Sequence, residues 1–312
     1  MKKNLLFLSV TAALISACGS TPPTPVTLDT LTLGGVGSTL LISSNAKLTV
    51  TAIGSDGQSF AGTPTFTSSA PNVVAVSSDG TLSVRHLSVA PVTLTATENG
   101  KTATLNVTTY GLDMVGGTYN TRNNAKAPGY QFLLAIRDAS GNPLTADTSI
   151  NIQGPAGFNS GAAINVTTGK GATPSSYTRV SNDTVPVVSG SYTASATVAG
   201  TVFSKTFTID ATQVLPLASS VSLNVTATGY TASGTVPAGS PLLYGIVYSP
   251  SAIVGSTPNL TALPVSGTFT TPLTSGTYNT GVFAQDFLGQ AGGAFPDQIN
   301  RSFNYLAPVT IP

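Results

Sequence analysis

A chain of 312 residues with one histidine and one cysteine has few routes to covalent chemistry. The histidine is His86, inside the run Val84 to Val89. A serine nucleophile needs a base held against its hydroxyl and a third group to orient that base. No Gly-x-Ser-x-Gly turn is there to display such a serine. His86 is therefore expected at a strand edge or on the surface, with no catalytic part. Zinc and copper sites draw on several His or Cys ligands, which this composition does not supply. Glycoside hydrolysis uses two facing carboxyl groups. The one glutamate, Glu98, precedes Asn99-Gly100, and the ten aspartates fall mostly in turn-like stretches, where Asp bonds its own backbone. Asp138-Ala-Ser-Gly-Asn142 hints at a calcium loop but lacks the alternating acids and distal glutamate of an EF-hand. A plain turn is expected there, a calcium ion shared at a domain junction being the other reading. Gly34-Gly35-Val36-Gly37 lacks dinucleotide spacing. The expectation is a non-enzymatic protein with no catalytic residue, no metal and no cofactor.

Cys18 stands apart. It closes the stretch Leu14-Ile15-Ser16-Ala17-Cys18, which follows Lys2, Lys3 and an apolar run from Leu5 to Ile15. A basic start, a short apolar run and small residues at its end are the parts of a signal peptide. The run is too short to span a bilayer, which takes ~20 apolar residues. This stretch resembles the signal and lipobox of bacterial lipoproteins. The resemblance implies that residues 1–17 are removed and that Cys18 is acylated on its thiol and its freed amine. Two or more buried chains anchor a protein stably. Gly19 stands where an aspartate would mark inner-membrane retention in that family. The implied location is the cell envelope, at the outer membrane or cell surface, with the lipid anchor as the membrane contact. Residues 18–25, Cys-Gly-Ser-Thr-Pro-Pro-Thr-Pro, read as the lipidated cysteine and an extended tether.

Composition narrows the rest. Charged residues make up 7% of the chain, against ~25% in a typical protein. Without Lys2 and Lys3 the mature chain has ten basic and eleven acidic residues. No basic patch for nucleic acid can be drawn from these. An acylated Cys18 leaves no disulfide, so apolar burial must hold each domain. At 41% hydrophobic residues there is enough of it. The 295 residues after the leader suit two or three domains.

From Val26 onward the pattern is β. Leu31 and Leu33, Leu48 and Val50, and Val92, Leu94 and Ala96 alternate with Thr and Ser, the period of half-buried strands. Ser55-Asp56-Gly57, Ser78-Asp79-Gly80, Asn99-Gly100 and Ser140-Gly141-Asn142-Pro143 punctuate them as hairpin and turn signals. An all-β chain of tandem Ig-like β-sandwich domains is expected. The segments Phe66-Thr-Ser-Ser-Ala-Pro-Asn-Val-Val-Ala-Val-Ser-Ser-Asp-Gly-Thr-Leu82 and Val92 to Val107 resemble the bacterial Ig-like domain, group 2, over residues 26–109. That family usually has Trp where Phe66 stands and Gly where Ala90-Pro91 stands. The resemblance implies an Ig-like sandwich used as a spacer or adhesion module.

Two further domains are expected at 110–211 and 212–312, with linkers at Thr108 to Asp113 and Ala211 to Ser219. Ser189-Gly-Ser-Tyr192 and Ser275-Gly-Thr-Tyr278 repeat one another. Both have the form of a tyrosine corner, whose hydroxyl bonds back to upstream backbone. Gly117-Thr-Tyr119 shares the form but opens its domain. Aromatics crowd the last two domains. Tyr244, Tyr248, Phe283, Phe287 and Phe295 read first as core, and otherwise as a platform for sugar or protein. If a ligand surface exists, the loop from Asp286 to Asp297 is its expected place. The expected function is that of an envelope spacer, adhesion or interaction protein. The alternative is a carbohydrate- or protein-binding lipoprotein with its site in the C-terminal domain.

Overall fold

The computed structural model describes residues 24–121, 127–168, 177–240, 242–249, 253–257, 263–287 and 296–312. Cys18 with its lipobox, most of the tether, and Phe295 lie outside them. Twenty-one strands and one short 3-10 turn make up the described elements, so the chain is all-β. The first eight strands are β1 (Leu28–Gly34), β2 (Thr39–Leu41), β3 (Thr49–Gly54), β4 (Thr65–Ser68), β5 (Val74–Val76), β6 (Leu82–Val84), β7 (Val92–Glu98) and β8 (Lys101–Thr121). The middle part adds β9 (Gly129–Arg137), β10 (Thr148–Gln153), β11 (Ile164–Thr168), β12 (Thr178–Pro186), β13 (Gly190–Val198) and β14 (Thr201–Ile209). The last part holds β15 (Ser219–Val225), β16 (Gly229–Thr235), β17 (Leu242–Tyr248), β18 (Ile253–Ser256), β19 (Val265–Thr268), β20 (Gly276–Gln285) and β21 (Arg301–Ile311).

Local chemistry explains most of these strands. Along β14 exposed Ser204, Thr206 and Thr208 alternate with buried Phe203, Lys205, Phe207 and Ile209, which fits one wet and one dry face. Asn99 and Gly100 both hold positive φ, 43° and 75°, and join Glu98 to Lys101 in a two-residue hairpin. Tyr192 donates its hydroxyl to the Val188 carbonyl at 2.8 Å, and Tyr278 donates to the Thr274 carbonyl at 2.9 Å. Both tyrosine corners are therefore made, four residues back in each case. Tyr119 makes no such corner and belongs to a different cluster.

The joint after the first module differs from the sequence expectation. Thr108 to Asp113 is not a linker. It is the middle of β8, one strand of 21 residues. The first half of β8 pairs with β7, and Thr108 to Tyr110 pair in parallel with β2. Gly111 to Tyr119 then pair with β9. Gly111 has φ 107°, and a Cβ there would meet the Leu41 side chain at 2.9 Å. Glycine lets the strand turn at the handover without leaving its sheet. Backbone pairing absorbs residues whose Thr-rich composition looks like a connection.

The second surprise is a ten-stranded sheet. Its main path runs β12-β9-β8-β21-β20-β17-β18, with β2, β4 and β7 attached along the first half of β8. β21 joins β8 in parallel through Arg301–Tyr119, Ser302–Asn120 and Phe303–Thr121. The middle and last parts therefore share one sheet. On one face of it sits the sheet β11-β10-β13-β14, enclosing Met114, Phe132, Phe158, Tyr192 and Phe207. Farther along, β15-β16-β19 encloses Leu223, Tyr230, Leu243, Val247 and Val282. Each fully buried aromatic or aliphatic side chain contributes roughly 1.5–3 kcal/mol, so these two cores carry the sandwiches without disulfides. The other face of the shared sheet holds the polar and aromatic groups described next.

Candidate functional site

Two clusters gather the unusual side chains. The first is a buried seam between the first module and the shared sheet. After β6 the chain leaves its strand and lays His86, Leu87 and Ser88 against β8. Asp113, on β8, is fully buried. It accepts the Leu87 N–H at 2.8 Å, the Tyr177 hydroxyl, and His86 Nδ1–H at 3.1 Å. A carboxylate can only accept, so the proton of that ring edge sits on Nδ1. Lys205 Nζ stands 3.8 Å from the same Asp113 oxygen and donates to the Arg85 carbonyl. Arg137, at the end of β9, donates to the carbonyls of Thr109 at 3.1 Å and Ser88 at 2.6 Å. Ser88 and Thr109 exchange a reciprocal pair of bonds.

Burial by itself would raise the Asp113 carboxyl. The charge and hydrogen bond of His86, then Lys205 and the Tyr177 hydroxyl, outweigh it and hold the group down at about 2. Burial and the adjacent carboxylate push Tyr177 well above its ordinary value. Lys205 is pulled below its usual range by burial, despite Asp113 beside it. The three short contacts to Asp113 decide for an ionised carboxylate, and the longer Lys205 contact only assists. A cleft of about 400 Å³ beside the seam is lined by Arg85, His86, Lys205, Phe207 and Asp297 among others. His86 is thus not at a strand edge or on the surface. It is 5% exposed, because its partner, 27 residues later in sequence, packs directly over it.

The second cluster lies on the other face of the shared sheet. Register places Tyr119, Arg301 and Gln285 side by side on β8, β21 and β20, and Phe303 beside Phe283 on the last two. Phe283 is in turn opposite Tyr244 on β17. The rings of Phe283 and Phe303 stack at 4.1 Å, and those of Tyr244 and Phe283 at 5.1 Å. Tyr305 meets Phe303 edge-on at 4.5 Å. The Arg301 guanidinium carbon lies 3.3 Å over the Phe283 ring and 5.3 Å from that of Tyr244. Arg179, on β12, bonds Gln285 Oε1 at 3.2 Å and lies over Phe287 at 5.7 Å. In a flat sheet, β12 and β20 would be about 19 Å apart, four steps of ~4.8 Å. Two side chains do not span that gap, so the sheet curls with this face inward. A segment around Ile299 crosses it at Gly117, where a Cβ would come 1.5 Å from the Ile299 carbonyl oxygen. Asn300 and Ile299 bond Thr118 and Gln131 from there.

Burial pulls Arg301 well below its ordinary value, and the nearby Arg179 adds to this. Arg179 is lowered to about 10 by its own burial. Arg301 Nε is buried without a hydrogen-bond partner. Of the aromatic residues expected as core or platform, Tyr244, Tyr248 and Phe283 come together here, with Tyr119, Phe303 and Tyr305. Phe287 does not: it packs with Val115, Leu133 and Ile299. Arg179 and Arg301 formed no part of the sequence reading. The alternation Arg301-x-Phe303-x-Tyr305 was the available signal, since period two puts all three on one face.

Other candidates stay apart. Glu98 is buried at the end of β7 and faces Gly62. Asp138 accepts the N–H groups of Ser140 and Asn142, both at 2.9 Å, and so closes its own turn. Among the described residues no group of three or more His, Cys, Asp or Glu is placed to hold a metal.

No family model matches the chain, and no curated protein matches it. Solved structures do. Domains 4 and 5 of the S-layer protein SbsC are 19% identical, with 58% of this chain and 98% of that one covered and a TM-score of 0.22. The FN1–FN3 domains of chicken CNTN1 are 9% identical over 92% of this chain and 99% of that one, TM-score 0.23. The Escherichia coli adhesin FdeC is 15% identical over 88% of this chain and 98% of that one, TM-score 0.22.

Proposed function

We propose that this chain is a non-enzymatic cell-envelope lipoprotein, anchored through Cys18 and acting as a surface spacer, adhesion or envelope-interaction protein. One observation carries the reading: a single strand, β8, belongs to both the first module and the shared sheet, and the Asp113 network ties the same joint from the side. A spacer has to transmit position from its anchor to its far end, and a joint without a slack linker does that. The buried seam turns the only histidine inward to a carboxylate, which supports a structural rather than catalytic part for it. Residues 26–109 are proposed as a bacterial Ig-like domain of group 2, and the β7–β8 hairpin around Asn99-Gly100 supports that. The location, outer membrane or cell surface, rests on the lipobox and Gly19. Cys18→Ala tests the anchor. The variant should leave the membrane fraction for the soluble one on cell fractionation, and firm retention in the membrane would sink the proposal.

The arginine–aromatic face favours a second reading, a lipoprotein that binds carbohydrate or protein through its C-terminal part. A glycan array probed with the full chain tests it, and a blank array would count against it.

A further inference from the structure

The concave face of the shared sheet holds two cations, neither of them in an ion pair with a described carboxylate. All eleven carboxylate side chains belong to described residues. None of them forms an ion pair with Arg179 or Arg301. Asp297, four residues before Arg301, lines the cleft beside Arg85, His86 and Lys205; Asp183, four residues after Arg179, accepts the Thr121 hydroxyl at 3.3 Å; and Asp286 is turned to Asn300, whose N–H and side-chain amide it accepts at 2.8 and 2.7 Å. Arg179 spends one N–H on a neutral amide oxygen. Arg301 makes no hydrogen bond to any described residue, though it is only 5% exposed. Buried charges are ordinarily paired, and two like charges close together worsen the imbalance. The site is short of an anion.

We infer that Arg301, with Arg179 beside it, receives the carboxylate of an acidic sugar on this face. The inference rests on the carbohydrate-binding reading above and narrows it to a ligand class. Two features of the site select that class. At 3.3 Å from the Phe283 centroid, the Arg301 guanidinium has room only to lie flat on the ring. Its N–H groups then point outward in one plane, a fork that matches the two oxygens of a carboxylate. Around it, the half-buried rings of Tyr244 and Tyr305, backed by the buried stack of Phe283 and Phe303, offer aromatic surface against which the C–H side of a sugar ring packs. Tyr244, Tyr248 and Tyr305 are half-buried at the rim, and their hydroxyls bond no described residue. They are placed to exchange hydrogen bonds with sugar hydroxyls. Gly281 makes the arrangement possible: a Cβ there would be 2.1 Å from the Phe303 ring.

The test is a titration of the full chain in detergent at constant ionic strength. Sodium D-glucuronate, D-glucose and sodium sulfate are the three probes, followed by calorimetry and by saturation transfer to ligand protons. Saturable glucuronate binding is expected, with glucose and sulfate each at least tenfold weaker. Arg301→Lys keeps the charge but loses the fork, and should weaken glucuronate at least tenfold. The selectivity of the unaltered chain tests the proposal even if the variant fails to fold. Equal binding of glucose and glucuronate would refute the anion site while leaving a sugar-binding protein. Sulfate binding as strong as glucuronate would refute the acidic-sugar class. No response to any probe would overturn the inference and the binding reading together.

Discussion

Removing the Asp113 carboxylate should cost far more than its size suggests. Asp113→Ala removes at once the acceptor shared by three buried donors, Leu87 N–H, Tyr177 O–H and His86 Nδ1–H, and takes from Lys205 its nearest carboxylate. An orphaned buried donor costs about 1–3 kcal/mol. The three do not add freely, and the carboxylate's own burial cost is recovered. Measured losses from breaking one side of a buried charge pair are about 3–5 kcal/mol, and that is the expected range here. A domain's whole stability is about 5–15 kcal/mol, so the loss is large. It should also be local. In urea titrations followed by tyrosine fluorescence, the transition should shift strongly to lower urea. By hydrogen exchange, the amides of Leu87 and Ser88 should lose protection while the Tyr192 corner keeps its own. Lys47→Ala is the control. Its pair with Asp79 is 3.1 Å long but 63% and 59% exposed, so it should cost no more than about 1 kcal/mol. If Asp113→Ala cost no more than Lys47→Ala, the seam would be ornamental and the reasoning wrong.

Acid should weaken the same joint. The folded Asp113 carboxyl titrates at about 2, below its ordinary 3.8. Between those values the unfolded chain binds the extra proton, so stability falls as pH drops through that window and is fully present above about 4. The shift amounts to about 2 kcal/mol. Asp286, raised by burial, works in the opposite sense, so the comparison must be made against Asp113→Asn. The gap in urea midpoint between the two proteins should narrow from pH 5 to pH 2, and parallel curves would refute the assignment. The corners give a smaller test. Tyr192→Phe should cost about 1 kcal/mol by losing a buried hydroxyl bond. Tyr278→Phe should cost less, since that bond is exposed; the reverse order in thermal melts would contradict it.

Much of the fold is local and was readable as such. Alternation located strands such as β1 and β7, Asn99-Gly100 gave a hairpin, and two Ser-Gly-x-Tyr repeats gave two corners. What was not readable depends on partners far off in sequence. Thr118 bonds Asn300 across 182 positions, and no local pattern encodes that β21 will lie beside β8. Without that pairing, Thr108 to Asp113 looks like a connection and Arg301 like the start of an edge strand. His86 was misplaced for the same reason. A lone polar residue in an apolar run has two physical outcomes, exposure or a buried partner, and only the fold supplies the partner. The clue at Asp113 was its place between Leu112 and Met114, where alternation puts a charge on a strand face that has to be covered.

The scarcity of charge sharpens what the buried charges mean. In a chain with 7% charged residues, a Thr- and Ser-covered surface can be wetted without Lys, Arg, Asp or Glu, so no solubility demand forces a charge inward. Yet Glu98, Asp113, Arg137, Lys205 and Arg301 are all buried. Three of these meet in one seam, where a carboxylate is matched by an ammonium, an imidazole and hydroxyl and amide donors. Such a network adds little net stability over an apolar joint, but it accepts only one docking of the first module, because any other leaves Asp113 unpaired. Arg301 is the contrast. It is as deeply buried, and among the described residues it is matched by nothing but aromatic faces and a tyrosine. The same chain that satisfied Asp113 with three hydrogen bonds left a five-donor cation without one. That difference separates a joint, which is complete within the chain, from a site, which is completed by something else.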